Sequence, residues 1–244
     1  MRKFAILVLS LILCLSALPL TVFAEADSFT LILHAGETDL THTGSSSYVL
    51  PTPGAPAGKT FAGWYASATA DKGAVFLPAG ATVTEDIATE LTAVYIAMAT
   101  RNDAELRLTA GDEGVRFVTD INRDELAVLM ERGVVVSMGT LIVPDVCLLL
   151  TKGVLTHAAI ERNPANYNTY LDVVTTGAYA ETRNTISIAG SVSKIPAKKL
   201  YTEFAGVGYL KLAYTDGSEG YVYAAMGEGE TRLYALSAYT LYIL

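Results

Sequence analysis

The chain has 244 residues, 51% hydrophobic and 17% charged, with Lys+Arg 17 against Asp+Glu 25. This length and apolar content suffice for one large domain or two small ones. The net charge of −8 creates a field that repels nucleic acid and anionic lipid, so neither is an expected partner.

The N-terminus opens with Arg2 and Lys3, runs through apolar residues from Phe4 to Leu20, and reaches Val22-Phe23-Ala24 before the polar Glu25. This is the pattern of a secretory signal peptide over residues 1–24, which implies a secreted or cell-surface protein. The apolar stretch falls short of the ~20 residues of a stable span, so no membrane span is expected after cleavage. Cys14 follows Ile12 and Leu13 rather than the small residues of a lipoprotein signal. Losing Arg2 and Lys3 takes the net charge from −8 to −10. Cys147 then remains as a lone cysteine, which excludes an intrachain disulfide. Its neighbours Val146 and Leu148 to Leu150 mark it as a buried apolar filler.

Composition divides the rest into residues 25–98, a polar linker at 99–103, and residues 104–244. In the first segment Phe29 to Leu33 alternates as a strand. Tyr48 to Leu50 is extended and stopped by Pro51, Pro53 and Pro56. Gly58 to Tyr65 and Glu90 to Tyr95 read as two more strands, with Thr84-Glu85-Asp86 a turn or brief helix start between them. Trp64, the single tryptophan, is the expected core anchor.

Three stretches here carry a resemblance: Leu50-Pro51-Thr52-Pro53, Gly58-Lys59-Thr60-Phe61-Ala62-Gly63-Trp64-Tyr65, and Thr89-Glu90-Leu91-Thr92-Ala93-Val94-Tyr95. Together they resemble the Listeria–Bacteroides repeat, also called the internalin B-repeat, over residues 28–97. Gly58, Phe61, Gly63, Trp64 and Tyr65 match its central motif. Leu91, Ala93 and Tyr95 match the closing one, Tyr95 standing where the family usually has Trp. The resemblance implies a compact β-grasp-like module that serves secreted or surface bacterial proteins as a stalk, spacer or adhesive unit, without catalytic residues.

In the second segment Gly114 to Ile121 alternates as a strand. Asn122 is placed to cap a helix through Arg132, stopped by Gly133. Val134 to Val143, Tyr170 to Thr176 and Thr185 to Val192 read as strands. Phe204 to Tyr214 and Tyr221 to Ala225 flank an Asp216-Gly217 turn as a hairpin. Thr231 to Leu241 suits a closing helix, with a final strand as the alternative. Val115-Arg116-Phe117, Met138 to Pro144, Ile188 to Ile195, and Gly208-Tyr209-Leu210 followed by Tyr221-Val222-Tyr223 resemble an unassigned module of surface proteins from anaerobic Gram-positive bacteria. That likeness bears on location, not chemistry. The expected fold is mainly β with α+β elements: a small β-grasp-like N-terminal module, then a β-sandwich-like domain with one or two short helices.

The chain lacks a Gly-x-Ser-x-Gly elbow, a His-Glu-x-x-His pair, a phosphate loop and a Cys-x-x-Cys pair. His34, His42 and His157 are divided between the two segments, so they read as solvent-facing or packed residues and no metal or cofactor is expected. Asp216 to Glu219 reads as a turn and not a calcium loop, which needs six to eight oxygens. Leu50 to Gly54 resembles a sortase signal but carries Pro53 where that signal has Thr. Aromatic rings stack on sugars, so the binding candidates are Trp64, Tyr65, Tyr209 and Lys211. A two- or four-residue hairpin turn puts Tyr221 and Tyr223 on one face with Leu210, Leu212 and Tyr214, as core. It leaves Tyr209 and Lys211 on the other face, exposed, with Val222 and Ala224; a three-residue turn reverses this. These features point to a non-enzymatic adhesion or binding protein for an extracellular protein or glycan. The alternatives are a carbohydrate-active enzyme built on two carboxylates and a purely structural spacer.

Overall fold

The computed structural model describes residues 29–44, 46–102, 104–149, 153–165, 169–224 and 235–237. Residues 1–24, expected to be a signal peptide, lie outside them. The fold is mainly β with few short helices.

The N-terminal unit contains β1 (Phe29–Ala35), β2 (Thr38–Gly44), β3 (Ser47–Val49), β4 (Lys59–Ala66), β5 (Val75–Leu77), β6 (Thr82–Thr84) and β7 (Glu90–Thr100). Its main sheet runs β2-β1-β7-β4-β5, with β1 parallel to β7 between two antiparallel hairpins. The two-residue connection between β1 and β2 is possible because Gly36 adopts φ 73°. β3 pairs separately with β6.

A β-bulge in β4 explains the Phe-x-Gly-Trp spacing. The β4–β7 register shifts between Phe61 and Gly63. The extra residue inverts the side-chain alternation, so Phe61 and Trp64, three positions apart, meet edge to face at 5.7 Å. Trp64 is fully buried and donates its indole N–H to the Pro51 carbonyl at 2.9 Å. Leu50 beside that carbonyl is buried too, while Thr52 and Gly54 of the sortase-like stretch are exposed.

β7 does not stop at the end of this unit. Ala99 and Thr100, expected in a linker, continue the strand and pair with Asp120 and Thr119 of β9 (Gly114–Asn122). β8 (Glu105–Arg107) pairs further along β9. The remaining elements are α1 (Arg123–Glu131), β10 (Val135–Pro144), α2 (Val146–Leu149), α3 (His157–Arg162), β11 (Leu171–Thr175), β12 (Ala180–Glu181), β13 (Thr185–Ser193), β14 (Glu203–Ala213), β15 (Glu219–Tyr223) and β16 (Ala235–Ser237). A second sheet runs β11-β10-β14-β15, with β16 also on β14. The expected closing helix is therefore a strand at Ala235–Ser237; its other residues lie outside those described. Asn122 caps α1 through Oδ1, which accepts from the Glu125 N–H, and Gly133 at φ 69° ends it.

The two units share a core. Ala62, Phe76, Ile96 and Met98 pack in one cluster with Ile121, Leu126, Leu141, Val207, Leu210 and Leu212. Phe76 stacks on Tyr214 at 5.5 Å and 12°. The Thr215 N–H donates to the Phe76 carbonyl, and the Phe76 N–H donates to Thr215 Oγ1, each at 2.8 Å. Glu125 of α1 accepts from Lys59 Nζ at 2.5 Å and from the Ala97 N–H at 2.6 Å.

The two sheets of the C-terminal unit approach closely through glycine. A β-carbon on Gly208 would lie 2.2 Å from Thr119 Oγ1 and 2.5 Å from its Cβ; one on Gly206 would lie 2.5 Å from Phe117 Cγ. Thr119 and Phe117 are wholly buried and have nowhere to move. Gly208→Ala is expected to destabilise the protein by about 3 kcal/mol, the upper end of overpacking costs, measured as a lowered urea midpoint.

The hairpin puts Tyr221 and Tyr223 on the face opposite to the expected one, with Tyr209. Tyr214 N–H donates to the Ser218 carbonyl at 2.9 Å around a three-residue turn, and Gly217 takes φ 83°. With an odd turn, Tyr209 pairs with Tyr223 and Lys211 with Tyr221, while Leu210 and Val222 share the opposite face. The two-way bond of Thr215 to Phe76 anchors this turn.

Candidate functional site

Two places concentrate chemistry. The first is the outer face of the second sheet, where Tyr209, Tyr221 and Tyr223 surround His157 at the start of α3. Thr156 caps that helix, its hydroxyl accepting from the Ala159 N–H at 3.1 Å, and so fixes the position of His157. Tyr221 stacks on the imidazole at 3.7 Å and 20°. Gly139 sits opposite Tyr209 on β10, and a β-carbon there would lie 2.5 Å from the Tyr209 hydroxyl. The missing side chain lets the Tyr209 ring cross to Asp172 on β11.

The polar atoms of this cluster satisfy one another. Tyr209 O–H donates to Asp172 Oδ1 at 2.6 Å. His157 Nε2 lies 3.2 Å from Asp172 Oδ2, and Nδ1 lies 2.8 Å from the Tyr223 oxygen. That oxygen also accepts the His157 backbone N–H at 2.8 Å. Donors and acceptors balance when Nε2–H donates to Asp172 and Tyr223 O–H donates to Nδ1. The chain of Tyr, His and Asp has the order of an activated nucleophile, but the electrostatics oppose activation. Burial pushes the Tyr223 hydroxyl up to about 12, and burial followed by the bond to Asp172 raises Tyr209 further. These phenols hold their protons, and the arrangement fastens α3 to the sheet. Asp172→Ala is expected to lower stability by about 1–3 kcal/mol, because it strands the buried Tyr209 hydroxyl; chemical denaturation reads the loss.

The second place is a cleft of about 290 Å³ in the N-terminal unit. Its walls come from the β4–β5 connection, with Ser67, Thr69 and Lys72, and from the start of β7, with Thr89, Glu90 and Thr92; Tyr65 also lines it. The Arg132 guanidinium, at the C-terminal cap of α1, lies 3.7 Å above the Tyr65 ring centre. The ammonium of Lys72 donates to the Glu85 carbonyl.

Glu90 is tied to His34 of β1. His34 Nε2 lies 2.9 Å from Glu90 Oε1, and Nδ1 lies 2.7 Å from Asp39 Oδ1 on β2. Two carboxylate acceptors call for two ring donors, which only the imidazolium provides. The bond to Asp39, then that to Glu90, raises the His34 pKa above its ordinary value. A raised pKa contributes stability below the unfolded value of about 6.5 that is lost as pH rises through the folded value. An NMR titration of the imidazoles is expected to show His34 titrating above 6.5. His34→Gln is expected to remove the corresponding pH dependence of unfolding.

Of the four expected binding residues, Tyr65 lines the cleft. Trp64, next to it, faces the opposite side of β4 as wholly buried core. Tyr209, expected exposed, is 1% exposed because α3 covers its face of the sheet, with the His157 ring 4.9 Å from it. Lys211 shares its face, half-buried and paired with Glu219 at 2.5 Å. The structure thus brings Tyr209 and Lys211 together and separates them from Tyr65. Arg132, Lys72, Glu90, His34, His157 and Asp172 were not among the expected binding residues. Only Thr156, a capping residue before His157-Ala158-Ala159-Ile160, carries a local signal for one of them.

Cys147 is buried, which raises its thiol pKa, as its apolar neighbours predict. Among the described residues no helix is long and apolar enough to cross a membrane, and no group of acidic, His or Cys side chains is arranged to hold a metal. Comparison with protein-family models, with curated proteins and with solved structures finds no match to this chain.

Proposed function

We propose that this chain is an exported, non-enzymatic binding protein that presents the Tyr65 cleft to an extracellular glycan or protein. The cleft carries the reading: it is a concavity near the lower end of the ~300–1,000 Å³ range of small-molecule sites, with convergent hydroxyls, one aromatic ring and charged groups. The leader-like N-terminus and the resemblance of Gly58 to Tyr65 to a surface-protein repeat support an extracellular setting. The C-terminal sandwich is the support, because its most conspicuous polar groups are spent on one another.

The test is a glycan and protein array probed with the chain lacking residues 1–24. A hit that disappears in Ser67→Trp, which fills the cleft from its rim, is the expected result. A complete absence of hits, or hits indifferent to Ser67→Trp, overturns the proposal.

A further inference from the structure

We infer that the Tyr65 cleft takes a neutral, hydroxyl-rich sugar unit whose hydroxyls donate to Glu90, with His34 as the positioning residue that holds that carboxylate. This rests on the binding role proposed for the same cleft. The strand registers carry the first argument. Tyr65 of β4 pairs with Thr92 of β7, Thr92 with His34 of β1, and His34 with Asp39 of β2. Registered partners share a face of the sheet, so these four side chains form one row across four adjacent strands. Glu90 stands on the same face, two residues before Thr92. The row is tied together from its outer end. Asp39 Oδ1 lies 2.7 Å from His34 Nδ1, and His34 Nε2 lies 2.9 Å from Glu90 Oε1. This chain of bonds runs from the sheet edge to the cleft, whose lining includes Glu90, Thr92 and Tyr65.

The second argument is that the charges of the cleft are answered within the protein. The charged residues that line it are Lys72 and Glu90. The Lys72 ammonium donates to the Glu85 carbonyl, and the Glu90 carboxylate meets the His34 ring. An anionic ligand would face Glu90 on a protein whose net charge is −8. A cationic ligand would compete with His34 for the same carboxylate. A carboxylate offers about four acceptor sites, so the bond from His34 leaves Glu90 able to accept from hydroxyl donors. Ser67 and Thr92 add hydroxyls beside the small apolar surface of Ala66, Ala68 and Gly73. That mixture matches a sugar ring, which carries hydroxyls on a CH framework.

His34 makes the site sensitive to pH. The charged groups facing it are Asp39 from β2 and Glu90 from β7, and only the imidazolium donates to both. As pH rises through its titration, one ring proton is lost. The shorter bond, to Asp39, keeps the remaining proton on Nδ1, and the Nε2 lone pair then faces Glu90. The carboxylate is released, so affinity falls as pH rises.

Calorimetric titration of the full chain with disaccharides ending in glucose, galactose or mannose, and with glucuronate- and glucosamine-terminated counterparts, tests this. At least one neutral sugar is expected to bind about tenfold more tightly than both charged counterparts, the value of one hydrogen bond to a charged group. Glu90→Gln is expected to weaken neutral-sugar binding about tenfold and to narrow the margin over glucuronate, because the repelling charge is gone. Affinity is expected to fall above about pH 6.5, and His34→Gln to flatten that fall, which a merely structural His34 would leave in place. Glu90 is exposed, and Glu90→Gln carries the test should His34→Gln fail to fold. Equal or tighter binding of a charged terminus, affinity indifferent to Glu90→Gln, or a pH profile unchanged in His34→Gln overturns the inference. An array hit, protein or glycan, lost in Ser67→Trp but unchanged in Glu90→Gln defeats this inference and leaves the binding role standing. Sugar binding untouched by Ser67→Trp, or no binding of any kind, defeats both.

Discussion

Cutting the chain after Thr100 is expected to leave neither piece cooperatively folded. The N-terminal piece would expose Phe76, Ile96 and Met98, each at most 2% exposed in the whole chain. At roughly 1.5–3 kcal/mol per buried side chain of this size, the loss approaches the ~5–15 kcal/mol that keeps a typical domain folded. The C-terminal piece would lose the partner strand at Thr119 to Ile121, the Phe76 ring on Tyr214 and the Glu125 contacts. In the intact chain a single thermal transition is expected, with near-ultraviolet dichroism and amide exchange changing together. Two separated transitions, or a folded fragment of residues 25–100 with dispersed NMR signals, would show that the two units are independent.

The second large effect is at Trp64. Trp64→Ala is expected to destabilise the protein by about 3–5 kcal/mol, the range for removing a buried aromatic. The side chain is wholly buried among Leu31, Leu33, Leu50 and Leu91, and its indole N–H is the donor to Pro51. Trp64→Phe keeps most of the packing but strands that carbonyl, so a smaller loss is expected. Because the units share a core, the Ala variant is also expected to lower the midpoint reported by C-terminal probes such as His157. Urea denaturation followed by tyrosine dichroism and by the His157 NMR signal measures both. An unchanged His157 midpoint would separate the units energetically.

Local pattern carried most of the secondary structure. Alternation found β1, β9 and β13, and Asn122 with Gly133 bounded α1 because capping chemistry is set by neighbouring residues. The four-residue α2 and six-residue α3 span too little of a helical period to register. The hairpin facing depended on one turn residue, and an odd count moved Tyr221 and Tyr223 onto the face of Tyr209, which α3 then covers. Ordinary alternation puts Trp64 and Tyr65 on opposite sides, while the bulge at Ala62 brought Phe61 to the side of Trp64. Tyr65, named from the sequence as a candidate, lines the cleft. The guanidinium over its ring was not legible, since Arg132 comes from the other unit and only the tertiary fold brings it there. The run from Glu90 to Tyr95 announced a strand but gave no sign that it would continue to Thr100 and join a second sheet partner.

The bonds between Phe76 and the hairpin tip at Thr215 span 139 positions of chain. Such distant closures are slow to form, because the loop entropy is lost before the contact rewards it. During synthesis the N-terminal strands emerge long before the hairpin that completes their apolar face, and they stay open until it arrives. Under the proposed export, this delay keeps the chain threadable while it crosses a translocation channel and lets it close only once its last hairpin is through.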